Sequence, residues 1–128
     1  MLYDISLRIA YDYAAAAAAS RHLVMLVPAD LPGEQRLVAG ALDVAPGADE
    51  RIDGADFFGN RRTELAFDHP HHEISFAVHS RVERVENGQR LDVSPRLGAL
   101  AGELEGWRGL DPRSPHHFAG VSPRVRAE

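Results

Sequence analysis

The sequence predicts an all-β protein, built as an antiparallel β-sandwich. The first observation is the alternation of apolar and polar residues over residues 3–13, which is typical of a strand buried on one face. The second is a series of short strand-like runs that recur about every ten residues. The third is the set of turn signals between these runs, of which Gly59 with Asn60 and Asn87 with Gly88 are the clearest.

The first two predicted strands flank a run of six alanines at residues 14–19. The apolar face of the first strand holds Tyr3, Ile5, Leu7, Ile9, Tyr11 and Tyr13. Residues 22–28 are apolar at almost every position, which predicts a central strand covered on both faces and ended by Pro28. Alanine favours helix, but so short a run is marginal as a helix in water. We therefore expect a connector between two strands, with at most one helical turn.

A third strand is predicted at residues 35–44, with Val38, Leu42 and Val44 on one face. Residues 45–56 are polar and contain glycine, so they predict a loop.

The next segment predicts a tight hairpin. Phe57 and Phe58 lead into Gly59 and Asn60, two residue types that tolerate positive φ. After this turn the apolar or β-branched positions Thr63, Leu65 and Phe67 alternate with polar ones, as expected for a strand.

A long strand is predicted after a turn at Pro70. Its buried face holds Ile74, Phe76, Val78 and Val82, while His79 falls on its polar face. A return strand is expected at residues 90–93, after the Asn87–Gly88 turn. These elements make about seven strands, which favours an immunoglobulin-like sandwich.

The C-terminal quarter has a different character. Leu97, Leu100, Leu104 and Trp107 recur at helical spacing, but interspersed glycines weaken the helix, so we expect one or two turns. Residues from 109 onward carry three prolines and little periodicity, which predicts an extended tail. We therefore divide the chain into a sandwich domain, residues 1–106, and a tail or linker, residues 107–128.

Composition excludes several function classes. The 128 residues are 45% hydrophobic and 26% charged, an ordinary globular composition for one domain. The net charge is −5 and no basic stripe is present, which disfavours nucleic-acid binding. No run approaches the length of a membrane span and the N-terminus lacks a signal-peptide pattern, so we expect a cytoplasmic protein. The sequence has no cysteine, which excludes disulfides, thiolate metal sites and a cysteine nucleophile within these residues.

Histidines are the residues that most invite a chemical interpretation. The segment "DHPHHE" places Asp68, His69, His71, His72 and Glu73 together, and a second "PHH" ends at His117. Imidazole and carboxylate groups can bind zinc, copper or nickel, but a turn that contains proline spreads adjacent side chains. A solvated turn is favoured over a metal site. The sequence has no nucleophile elbow and no phosphate-binding glycine motif, so we assign no catalytic, cofactor-binding or metal-binding residue and no cofactor.

Three segments in order resemble the N-terminal region of bacterial transglutaminase-like proteins, which are often described as cysteine proteases. They are "YDISLRIAYDYAAAAAASRHLVMLVP", "DFFGNRRTELAFDHPHHEISFAVHSRVERV" and "PHHFAGVSPRV". The family pattern includes Tyr-x-Tyr at the end of the first strand and an Asp-x-x-Gly-Asn motif, matched here by Asp56, Gly59 and Asn60. A proline-histidine turn comes next, matched by Pro70 and His71. Residues 118–122 resemble the crossing toward the next domain.

The resemblance implies a β-sandwich ahead of a papain-like domain with a Cys-His-Asp triad. No position here carries that cysteine, so no catalytic residue transfers. We expect a non-catalytic domain that positions or shields a downstream catalytic domain of the same polypeptide, its main partner. The alternative is a free-standing module that binds a peptide or protein through a sheet face or edge. A homodimer is a further partner to test; nucleic acid and membrane are not expected.

Overall fold

A computed structural model describes residues 1–85, residues 92–120 and residue 122. The chain divides into two compact units, Met1–Gly88 and Gln89–Glu128, and each unit is described by itself. The domain boundary predicted at residue 106 stays a prediction. The turn predicted at Asn87 and Gly88 and the start of the predicted return strand lie outside the described residues.

The first unit contains two antiparallel three-stranded sheets. Its strands are β1 (Leu2–Ala17), β2 (Ser20–Val24), β3 (Gln35–Ala45), β4 (Glu50–Ala55), β5 (Arg61–Phe67) and β6 (His71–Arg84). The strand order is β1-β6-β3 in the first sheet and β2-β5-β4 in the second. The all-β class is therefore confirmed. The described residues hold six strands, and the count of seven and the immunoglobulin-like form stay predictions.

The core lies where side chains of the two sheets meet. Its buried members are Leu42 from β3, Leu65 and Phe67 from β5, and Ile74, Phe76 and Val78 from β6. The core members from β5 and β6 are alternate residues, because successive side chains of a strand point to opposite faces. The predicted buried faces of β5 and β6 are both confirmed.

The alanine run is strand and turn. Residues 14–17 continue β1, and Ala19 adopts a φ of 50° in the turn to β2. The regular pairing of β1 with β6 ends at Asp12, and Ala17 pairs again with His71 after an irregular stretch. The run does connect two strands, as predicted, but it is extended and not helical, because the pairings at Asp12 before it and at Ala17 within it override the helix propensity of alanine.

Two predictions about strands β2 and β3 are wrong in detail. β2 is an edge strand, because among the described residues it pairs only with β5, and its Leu23 is exposed. On β3 the core-facing residue near the start is Leu37, which lies opposite Val82, and Val38 is exposed. The cause is a bulge between Leu37 and Ala39, which adds one residue and reverses the facing of the rest of the strand.

The loop predicted at residues 45–56 contains strand β4. All six of its residues are exposed. Because no face of the strand is buried, its sequence has no alternation of apolar and polar residues by which a strand could be recognised. It pairs antiparallel with β5 from Glu50 opposite Ala66 to Ala55 opposite Arg61. Main-chain pairing with a buried neighbour therefore defines this strand.

The second unit contains helix α1, Leu97–Gly106, and a short 3-10 helix at Pro115–His117. The predicted helix is confirmed and is longer than the one or two turns expected. It begins without a side-chain cap at Arg96 and has no buried residue. In the tail, Ser114 is fully buried, and the ring nitrogens Nε2 of His116 and His117 lie 3.0 Å from the carbonyl oxygens of Trp107 and Asp111.

Candidate functional site

The histidines of the "DHPHHE" segment do not converge. His71 and His72 are successive residues at the start of β6, so they point to opposite faces, and only His71 is buried. His69 lies in the preceding turn, with its Nδ1 atom 3.0 Å from the Asp49 carboxylate. Within the described ranges, no group of three or more histidine, aspartate or glutamate side chains is placed to hold a metal ion.

One end of the core brings together five rings from four strands: Tyr13, His22, Phe67, His71 and Phe76. The His71 ring lies 5.1 Å from the Phe67 ring and 5.8 Å from the Tyr13 ring, between centroids. The His22 ring contacts Phe67 edge-on at 5.6 Å and Phe76 at 5.9 Å. We call these five residues the ring cluster.

The polar atoms of the ring cluster are only partly satisfied. The Nδ1 atom of His71 lies 3.2 Å from the carbonyl oxygen of His69, and its Nε2 atom has no hydrogen-bond partner among the described residues. Burial lowers the pKa of His22, and the neighbouring His71 lowers it further. Both effects disfavour the charged form of the His22 imidazole.

The Asp-x-x-Gly-Asn motif forms the turn between β4 and β5. The Asp56 carboxylate accepts hydrogen bonds from the backbone N–H groups of Phe58 and Asn60 and from the Asn60 side-chain amide, at 2.8–2.9 Å. Gly59 adopts a φ of 83° and donates its N–H to the Asp56 carbonyl oxygen at 3.0 Å. These bonds, led by that from the Asn60 amide, hold the pKa of Asp56 below its ordinary value. The predicted hairpin is present, but its turn spans all five residues between Ala55 and Arg61, so Phe57 and Phe58 lie within the turn and do not form the end of a strand.

A cleft of about 410 Å³ lies beside β4 and β5 in the first unit. Its charged side chains are already paired: Arg51 with Asp53 at 3.0 Å, Arg61 with Asp30 at 3.2 Å, and Arg62 with Glu64 at 3.2 Å. The Thr63 hydroxyl donates to Asp53 at 2.5 Å, and hydrogen bonds from Arg51 and Thr63 lower the pKa of that carboxyl. No histidine lines the described part of this cleft, and the lowered pKa of Asp53 makes its carboxylate a weak base, so we assign no nucleophilic role to Thr63.

His79 lies on the exposed outer face of the first sheet, as predicted. Its Nδ1 atom is 3.4 Å from the Ser6 hydroxyl on the neighbouring strand. This contact is a cross-strand polar pair, one of the ordinary stabilising contacts of a sheet surface.

Sequence reasoning missed the ring cluster. His71 is far in the chain from both Tyr13 and His22, and the pairing of β1 with β6 and β2 with β5 is needed to bring the three together. The signal that was available is the period-two spacing of His22 and Val24, which places both on one face of the strand and Leu23 on the other. Treating this segment as apolar on both faces hid the inward direction of His22.

Comparison with known protein families gives a match. The family described as bacterial transglutaminase-like N-terminal region matches residues 3–83, which is most of the first unit and more than half of the chain. No curated protein and no solved structure matches the chain. Among the described residues, no helix has both the length and the apolar character that crossing a membrane requires. The extent of the family match establishes that this chain belongs to the family of bacterial transglutaminase-like N-terminal regions.

Proposed function

We propose that this chain is a non-catalytic β-sandwich domain that precedes a transglutaminase-like catalytic domain and positions or shields it. The observation that carries the proposal is the match of residues 3–83 to a region that the family defines as N-terminal. A region described as N-terminal is expected to be followed by a further part of the protein, and that part is the partner in this proposal. The catalytic Cys-His-Asp triad would then lie in the downstream domain.

The roles of the family-motif residues support this proposal. Tyr13 and His71 pack in the ring cluster, and Asp56, Gly59 and Asn60 build one turn. Each of these residues therefore has a structural task in the sandwich. The motifs specify how the domain folds, and none of them combines a nucleophile with a base.

The absence of cysteine from the sequence also supports a non-catalytic role. Transglutaminase and cysteine-protease chemistry requires a thiolate that attacks the amide carbonyl carbon. These 128 residues contain no thiol, so the nucleophile must come from another part of the polypeptide.

We further propose that residues 107–128 lead toward the catalytic domain. Trp107 and Leu110 are both exposed, and Leu110 is 70% exposed. Apolar side chains that remain accessible in one domain are candidates for burial against the next. The tail would then serve as the linker and as part of the interdomain contact.

The reading frame that contains this chain provides the test. The protein encoded by the intact frame should show amidase or transamidase activity on a glutamine-containing peptide. Replacement of its downstream cysteine by alanine should abolish that activity. Deletion of residues 1–88 should lower the rate or the melting temperature of the catalytic domain, whereas residues 1–128 alone should show no turnover.

Two results would overturn the proposal. Turnover by residues 1–128 that thiol blockers leave unchanged would show a catalytic site in this chain. A reading frame without a downstream Cys, His and Asp, or a deletion that changes neither rate nor stability, would favour the free-standing binding module.

A further inference from the structure

We propose that the free edge of β1 pairs with β1 of a second copy of this chain, in the antiparallel register that places Ser6 opposite Ser6. The two first sheets would then join into one continuous sheet. This inference does not depend on the proposed function, because it concerns the edge of a sheet and not the downstream domain.

Among the described residues, β1 lies at the edge of its sheet, and this is the least protected of the described strand edges. β1 is 16 residues long and pairs with β6 without a register shift from Leu2 to Asp12. The other strand edges are protected against pairing with another strand. β3 carries a bulge, and β2 is only five residues long. β4 has six residues, all exposed and several of them charged. Natural sheets use short strands, bulges and charges to prevent edge pairing, and a long regular edge lacks the first two protections.

The apolar row of β1 is incompletely covered. Tyr3, Ile5 and Leu7 point to the same side of the sheet as the buried residues Val78 and Val82, yet they are 40–46% exposed. A partner strand would cover this row. With Ser6 on the two-fold axis, Ile5 faces Leu7 of the second copy and Tyr3 faces Ile9 of the second copy. Apolar pairs directly opposite each other stabilise antiparallel strands.

The charged side chains on the outer face of β1 favour the register in which Ser6 lies opposite Ser6. Asp4 accepts two hydrogen bonds from Arg81, at 2.6 Å and 2.8 Å, whereas no ion pair is found for Arg8 within the described residues. In the Ser6-centred register, Arg8 lies directly opposite Asp4 of the second copy, and the symmetry forms this pair twice. A carboxylate offers about four acceptor positions, so Asp4 can bind both guanidinium groups.

Other registers are less favourable. Centring on Arg8 places Arg8 opposite Arg8 and Asp4 opposite Asp12, which are like charges. Centring on Ala10 places Arg8 opposite Asp12, but it draws in the irregular stretch of β1 after Asp12. Centring on Leu7 places Arg8 opposite Ser6 and leaves no charge pair directly across. A shift by one residue that mixes the two faces would set apolar side chains against polar ones.

The first test is the association state of the chain, measured by sedimentation equilibrium over a wide concentration range. A reversible dimer is expected. Arg8→Glu should weaken it roughly tenfold, since two attractive pairs become repulsive. Arg21→Glu on β2 makes the same charge change on another strand and should leave the dimer intact. Circular dichroism of both variants verifies that the fold is retained.

The second test reads the register by cross-linking. The chain has no cysteine, so each single substitution provides a unique thiol. Ser6→Cys should form a disulfide dimer under mild oxidation, because directly opposite residues lie within the Cα separation that a disulfide spans. Leu7→Cys and Ala10→Cys should cross-link much more slowly.

A chain that stays monomeric throughout, or a dimer that Arg8→Glu leaves unchanged, would overturn the proposal. Preferential cross-linking at position 7 or 10 would overturn the register, and a dimer with no cross-link at any of the three positions would place the interface elsewhere.

Discussion

Replacing Gly59 with alanine should destabilise the first unit by about 1 kcal/mol. Gly59 adopts a φ of 83°, which lies in the left-handed region, and no atom comes within 4 Å of the position that a Cβ would take. The cost therefore comes from the backbone alone. An L-residue in this region costs about 1–2 kcal/mol, and the loss of unfolded-state freedom on replacing glycine returns roughly 0.4–1 kcal/mol.

Gly47 provides a matched control. It has the same open surroundings, but its φ lies outside the positive range. Gly47→Ala should therefore leave the stability unchanged or raise it by up to about 1 kcal/mol. Gly59→Asn should lose less than Gly59→Ala, because asparagine visits the left-handed region more readily than alanine.

Urea unfolding followed by far-UV circular dichroism is the appropriate assay. The single tryptophan, Trp107, belongs to the second unit, so far-UV circular dichroism, which records the strands of the first unit directly, is the preferred probe. A loss of about 1 kcal/mol corresponds to a fall in melting temperature of about 4–8 °C for a unit of this size. If Gly59→Ala and Gly47→Ala had the same midpoint, the left-handed turn would be refuted.

Three further predictions address the core, the ring cluster and the turn. Phe67→Ala should lower the free energy of unfolding in urea by about 3–5 kcal/mol, because Phe67 is fully buried between the sheets. The control Ile52→Ala, at an exposed position, should change it by no more than about 0.5 kcal/mol. Equal losses for the two variants would contradict the assigned core. The stability of the native protein should fall as the pH drops below the ordinary histidine value of 6.5, because the pKa of His22 is lowered in the folded state and the unfolded chain takes up the proton first. His22→Gln should flatten this dependence in urea midpoints measured across that range, and an unchanged slope would show that another group titrates. Asp56→Ala removes the acceptor of three turn hydrogen bonds and should cost about 1 kcal/mol by the same assay, and a loss near zero would show that the turn closes without it.

Residues whose environment is set by local pattern were predictable from the sequence. Alternation identified the buried faces of β5 and β6, because one face of each strand is in the core. Glycine at position 59 identified the hairpin, because few other residues accept its φ. In these segments, the residues that determine the local structure are neighbours in sequence of the residues that adopt it.

The remaining features depend on partners that the local sequence does not specify. β4 is wholly exposed, so only its ladder to β5 makes it a strand. The bulge on β3 changes which residues face the core without leaving a compositional trace near Val38. The histidines of the Pro70 turn attracted attention because they are adjacent, yet strand alternation separates His71 from His72. The ring cluster, in contrast, is assembled by topology from distant residues.

The contrast between locally determined and topology-determined positions explains which features this chain shares with its family. The residues that carry the resemblance to the family lie at positions where the fold leaves few choices: Gly59 at a positive φ, Asp56 as the acceptor that closes a turn, and His71 buried against Phe67 and Tyr13. A sequence signature built from such positions identifies a fold while carrying no reaction. The functional differences among domains of this kind should therefore lie at their exposed parts. In the described part of this chain, the regular edge of β1 combines main-chain bonding groups, an apolar row and the outward Arg8, which makes it the first place to look for a partner.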